Sequence, residues 1–116
     1  MEKNKKVVIV TSQNFHDAKT QSIFETSCTN CLKGVNKSVQ VLFFNKKKDN
    51  ARTLKEIKRQ KPQIVVFNEC CNATIKKMSE QFCSDTILCS IKSEHSIKKV
   101  EKIENLKTIS LLLKEA

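Results

Sequence analysis

The chain has 116 residues, a formal net charge of +10 at pH 7, 39% apolar and 29% charged residues, and six cysteines. This length predicts one domain that can bury roughly two-thirds of its unfolded surface, and the apolar fraction excludes wholesale disorder. No apolar run approaches the ~20 residues that would cross a bilayer, and residues 7–10 are too short an apolar run for a secretory leader. A cytosolic or nuclear protein with reduced thiols is expected, with no metal or cofactor.

Residues 6–11, KVVIVT, form an apolar run rich in β-branched side chains, as a strand covered on both faces requires. Thr11, Ser12, Gln13 and Asn14 follow as a polar loop. Asp17 is placed to cap a helix reaching about Lys33, with Ala18, Ser22, Ile23 and Thr26 at helical spacing and Gly34 as its stop. Residues 39–44, VQVLFF, read as a second strand. Asp49 or Asn50 then caps a short helix carrying Ala51, Leu54 and Ile57 on one side. Pro62 ends it by pushing the preceding residue out of the α region.

Residues 64–67, IVVF, are a third strand, and Asn72 opens a third helix through Ile75, Met78 and Phe82. Residues 86–91 are a fourth strand. Ile97, Val100 and Ile103 fit either a helix or, over 100–103, a fifth strand, and residues 105–114 read as a last helix.

Strand–helix alternation predicts an α/β three-layer sandwich, flavodoxin- or receiver-like, with a mainly parallel sheet and helices on both faces. The most apolar strands, the first and third, belong at the centre, giving the order 2-1-3-4 with room for a fifth. Such sheets bind ligands at the carboxyl ends of their strands. That edge would present Thr11, Ser12, Asn14 and His16 after the first strand, and Asn68, Glu69, Cys70 and Cys71 after the third.

Several chemistries lack their residues. A phosphate-cradling loop needs glycines after the first strand, and Gly34, the one glycine, follows the first helix instead. Receiver phosphotransfer needs acids where this chain has Thr11, Ser12 and Asn68, and hydroxyls make a poor magnesium site. Cys28 and Cys31 form a C-x-x-C, but far from the strand end where a redox pair would open a helix. The topology sets them a sheet length from Cys70 and Cys71, against a shared zinc site. Cys70 and His16 are the one nucleophile–base pair available to the expected cleft, with Asp17 or Glu69 to orient the imidazole. Their plainer reading is an inert thiol and a solvated loop histidine.

Charge is the strongest signal. Residues 46–61 hold Lys46, Lys47, Lys48, Arg52, Lys55, Lys58, Arg59 and Lys61 against Asp49 and Glu56. On the second helix Arg52, Lys55 and Arg59 fall at i, i+3 and i+7, away from Leu54 and Ile57. Point charges on a helix and its entry loop suit phosphate oxygens. With no Trp or Tyr, base stacking would fall to phenylalanines, and Phe24, Phe43, Phe67 and Phe82 fit a core. Arginine, the better base reader, is scarce. The expected function is backbone recognition of RNA or another polyanion, without catalysis. A degenerate receiver- or flavodoxin-like protein-interaction domain is the alternative, and a small Cys–His enzyme a second one.

KKVVIVTS at 5–12, LKEI at 54–57 and IVVFNE at 64–69 resemble the Brix-domain ribosome-biogenesis factors in order and approximate spacing. That resemblance implies an α/β fold akin to class II anticodon-binding domains, which binds RNA or ribonucleoprotein without catalysis. It transfers no individual binding residue. CCNATIKK stands where the family has a Pro-Asn-Gly-Leu-type turn, and the chain is too short for the family's two related halves.

Overall fold

The computed structural model describes residues 5–11, 17–34, 39–45, 50–82, 85–92 and 97–109. Five strands, β1 (Lys5–Thr11), β2 (Val39–Asn45), β3 (Ile64–Asn68), β4 (Ile87–Ile91) and β5 (Val100–Ile103), form one sheet in the order β2-β1-β3-β4-β5. Every neighbouring pair is parallel. The expected core order is therefore present, and residues 100–103 are a strand rather than a helix. Three helices connect the strands: α1 (Ala18–Lys33), α2 (Asn50–Gln60) and α3 (Asn72–Ser79). Leu106 to Ile109 are also helical, and the remainder of the expected last helix lies outside the described residues.

Burial explains the order. Val7, Val8, Ile9 and Val10 of β1 and all of β3 are buried. Side chains alternate across a strand, so the two faces gather separate cores. One holds Val7, Ile9, Ile64, Val66, Cys89, Ile91 and Ile103 against Cys28 and Leu32 of α1 and Ile109 of the last helical turn. The other holds Val8, Val10, Val65, Phe67, Leu88 and Val100 against Ile57 of α2 and Ile75 and Met78 of α3. The result is a flavodoxin-like three-layer sandwich, with α2 and α3 in one helical layer and α1 in the other.

Asp17 caps α1 as expected, accepting a hydrogen bond from the Thr20 amide at 2.7 Å. Accepting that bond holds the Asp17 carboxyl below its usual value, because it favours the charged form. The buried stripe of α1 differs from the expected one. Ala18, Ser22, Ile23 and Thr26 are exposed, Ile23 by 61%. The inward positions are instead Phe24, Cys28 and Leu32, at i, i+4 and i+8. Gly34 ends the helix without a left-handed turn, at φ −61°, its amide bonding Asn30 and Leu32 carbonyls.

Left-handed backbone occurs at Lys61, Glu69, Lys92 and Lys99, where a side chain costs about 1–2 kcal/mol per residue. Phe82 falls beyond α3, which stops at Ser79, yet still packs against the same core. At the amino edge, the Gln63 amide bonds the Lys6 carbonyl at 3.0 Å and the Ile87 amide bonds the Gln63 carbonyl at 2.8 Å. These two bonds tie the entries of β1, β3 and β4. No helix among the described residues is long and apolar enough to cross a membrane.

Phe67 is fully buried on the most covered strand. Phe67→Ala is expected to destabilise the fold by about 3–5 kcal/mol, read as a lower midpoint in urea unfolding.

Candidate functional site

Helices α2 and α3 both run back from the carboxyl edge of the sheet to its amino edge, as a parallel sheet demands. On α2 the apolar side is committed inward: Ile57 is fully buried and Leu54 packs half-buried on the same core. That leaves Arg52, Lys55, Lys58 and Arg59 on the exposed side, with Lys61 exposed just beyond the helix. The expected stripe of Arg52, Lys55 and Arg59 is thus one outward surface. Lys46, Lys47 and Lys48 lie outside the described residues.

Among the described residues of α2 one carboxylate enters the stripe. Glu56 pairs with Arg59 at 3.2 Å and accepts from the Gln60 amide at 3.3 Å. Gln60 in turn accepts from Lys6 of β1 at 3.4 Å. The Arg59 side chain is 76% exposed, so this pair is strongly screened and leaves the surface cationic. Lys55, Lys58 and Lys61 have no ion-pair partner among the described residues.

Lys58 and Lys61 line a groove of about 540 Å³ with Pro62, Gln63, Phe82 and Asp85. A second groove, of about 510 Å³, lies across α3 and is lined by Lys76, Ser79, Glu80, Ile97, Lys98 and Lys99. Both open at the amino edge. The sequence pointed to α2 and missed the second groove, because its lysines come from two segments about twenty residues apart. The signal available was the adjacent pair Lys98-Lys99 just before a strand.

The expected carboxyl-edge cleft is built differently. Thr11 and Asn68 are register partners on β1 and β3, both buried, and the Asn68 amide donates to the Thr11 hydroxyl at 3.4 Å. A neutral pair therefore occupies the place where receiver chemistry would need acids. Glu69 meets Lys92 at 3.4 Å, while the Glu69 backbone amide bonds the Ile91 carbonyl at 3.0 Å. Neither of these two grooves is lined by Thr11, Asn68 or Glu69. Ser12, Asn14 and His16 lie outside the described residues.

Cys70 is buried, and its thiol donates to the Val10 and Asn68 carbonyls at 3.4 and 3.6 Å. That is the geometry of a thiol held in the core. Cys28, Cys31, Cys70, Cys71 and Cys89 form no disulfides, and no cluster of three or more His, Cys, Asp or Glu among the described residues could hold a metal. Burial pushes the Cys28 thiol up to about 11, helped by Cys31 and Glu25. Burial, with a contribution from Glu101, does the same for Cys89.

No family model matches the chain, and no curated protein matches it. Solved structures share its backbone path. A cobalamin-binding protein from Desulfitobacterium hafniense DCB-2 superposes with a TM-score of 0.60 at 12% identity, covering 96% of this chain and 58% of its own. The Francisella novicida lysine decarboxylase LdcF superposes with a TM-score of 0.56 at 12% identity, covering 98% of this chain and 17% of its own. The chain thus spans little more than half of the first structure and about a sixth of the second. At such identity the likeness is one of fold.

Two outcomes are expected for the thiols. Ellman's reagent at neutral pH should modify exposed Cys71 before buried Cys70, Cys28 and Cys89, resolved by peptide mass spectrometry; fast modification of Cys70 would instead mark a nucleophile. Stability should also fall at alkaline pH. The folded Cys28 and Cys89 thiols keep their protons to about 11, while unfolded thiols ionise from the ordinary value of 9.0. Protonated-thiol stabilisation is therefore complete below 9 and lost between 9 and 11, as urea midpoints across that range should record.

Proposed function

We propose that this domain is a non-catalytic binding module that docks on RNA through the exposed basic side of α2, with Arg52, Lys55 and Arg59 as the central stripe and Lys58 and Lys61 beside it. The observation that carries this reading is the division of α2. Its apolar side is in the core, and its cations have nowhere to point but outward. A membrane-surface helix would need that apolar side free, so the helix suits a water-exposed polyanion.

Phosphates are the natural target of such a surface. Lys55, Lys58 and Lys61 present compact point charges suited to single phosphate oxygens, and the guanidinium groups of Arg52 and Arg59 suit phosphate as well. The described phenylalanines offer no open stacking platform: Phe67 is fully buried, and Phe24, Phe43, Phe44 and Phe82 are half-buried against the cores. Recognition would then follow backbone and shape, with little dependence on sequence. The resemblance of residues 5–69 to Brix-domain factors points the same way.

Anisotropy titrations of a labelled single-stranded RNA across a salt series test the reading. The logarithm of affinity should fall linearly with the logarithm of salt, by about 0.7 per phosphate contacted. The combined Arg52→Glu, Lys55→Glu and Arg59→Glu variant should bind at least tenfold more weakly with an unchanged circular dichroism spectrum. Affinity indifferent to salt, or equal for that variant, overturns the proposal. Tighter binding to heparin than to RNA would assign the surface to another polyanion.

A further inference from the structure

The helical layer formed by α2 and α3 carries Arg52, Lys55, Lys58, Arg59, Lys61, Lys76 and Lys77 against Glu56 and Glu80, and Lys98, Lys99 and one acid, Asp85, adjoin it. The opposite layer is balanced. Its described charges are Lys19, Lys33 and Lys107 against Asp17, Glu25 and Glu104. Among the described residues the excess of positive charge thus lies on one face, and α2 accounts for only part of it.

The remainder converges on the groove between the C-terminal end of α3 and the turn before β5. That turn is tight: the Val100 amide bonds the Ile97 carbonyl at 3.0 Å. Lys98 and Lys99 are its two central residues, and Lys99 sits at φ 71°. A turn with left-handed backbone at its third position favours glycine or asparagine, and here the place is taken by a lysine. Ile97 is half-buried against the core and anchors the turn from below.

Facing the turn across the groove are Lys76, Ser79 and Glu80 of α3 and its last turn. The Ser79 hydroxyl is committed to the Lys76 carbonyl at 3.0 Å, so the recognition chemistry belongs to the lysines. Among the described residues Lys76, Lys98 and Lys99 have no ion-pair partner, and Glu80 is the one carboxylate lining the groove.

We propose that this groove is a second phosphodiester-binding site, in which Lys76, Lys98 and Lys99 supply the charge, so that a bound RNA is held at two places on one face rather than along α2 alone. The identity of the polymer rests on the reading above; the groove's affinity for phosphate stands independently. The two contacts lie within a molecule whose longest extent is 36 Å.

Inorganic pyrophosphate, followed by amide resonances of the nitrogen-15-labelled protein, tests the groove without RNA. Saturable shifts are expected at Lys76, Lys98, Lys99 and Val100. They should persist in the Arg52→Glu, Lys55→Glu, Arg59→Glu variant and vanish in Lys98→Gln, Lys99→Gln. Absence of saturation there, or equal shifts at Lys19, Lys33 and Lys107 on the balanced layer, overturns the site.

Labelled RNA then tests its use. Lys98→Gln, Lys99→Gln should weaken binding roughly fivefold per lost contact and lower the salt slope by about 0.7 for each. Unchanged RNA affinity in that variant overturns the site's role in RNA binding. Lys99→Gly separates charge from folding. It relieves the left-handed backbone, so the melting temperature should rise while RNA affinity falls, and a glycine variant that binds like the wild type also counts against the groove. Failure of the α2 variant to weaken RNA binding would remove the first reading while the pyrophosphate result still decides the second.

Discussion

The structure depends on the complete coverage of β1 and β3. Two adjacent parallel strands with no exposed apolar side chain require a helical layer on each face, since a parallel sheet cannot leave one face to water. Odd and even residues of the same strand then serve different cores: Val7 and Ile9 one, Val8 and Val10 the other. Each helix must turn an apolar stripe toward one of these surfaces. The cations of α2 face outward for that reason, as the complement of burying Ile57 and Leu54.

The same constraint sorts the charge. Crossovers of one hand place α2 and α3 together, and both carry lysine and arginine more densely than α1 does. The other layer holds equal numbers of described acids and bases. An electrically lopsided sandwich results from a chain whose formal charge, taken alone, could describe uniformly coated lysines. The most basic surface also opens at the amino edge, away from the strand ends where doubly wound sheets usually hold ligands. At the opposite edge Asn68 bonds Thr11 and Glu69 pairs with Lys92, while the side-chain oxygen of Asn72 is buried without a partner among the described residues.

Strand order and helix positions were legible because the apolar runs are short, β-branched and cleanly punctuated. Asp17, Asn72 and Pro62 marked boundaries that the backbone respects to within a residue or two. The stripe of α1 was not legible. Its inward positions, Phe24, Cys28 and Leu32, are interleaved with Ala18, Ser22, Ile23 and Thr26, which share the same helical spacing, and a reduced cysteine packs there as a small apolar residue. Residues 97–103 were ambiguous because three apolar residues at steps of three also fit a turn followed by a short edge strand, and only pairing with β4 decides between them. The α2 stripe lay within one helical period and could be seen. The groove of Lys76, Lys98 and Lys99 could not, since no local pattern links α3 to the turn before β5.

The common direction of α2 and α3 has an electrical consequence. Aligned peptide dipoles leave about half a negative elementary charge at each helix C-terminus, and both termini lie at the edge where the grooves open. Lys58 and Arg59 in the last turn of α2, and Lys76 and Lys77 in that of α3, sit against those ends. Some of their attraction is consumed within the protein itself, which steadies the helices. An approaching anion therefore meets a weaker potential than a count of lysines would imply, and the cations furthest from the helix ends dominate what it feels.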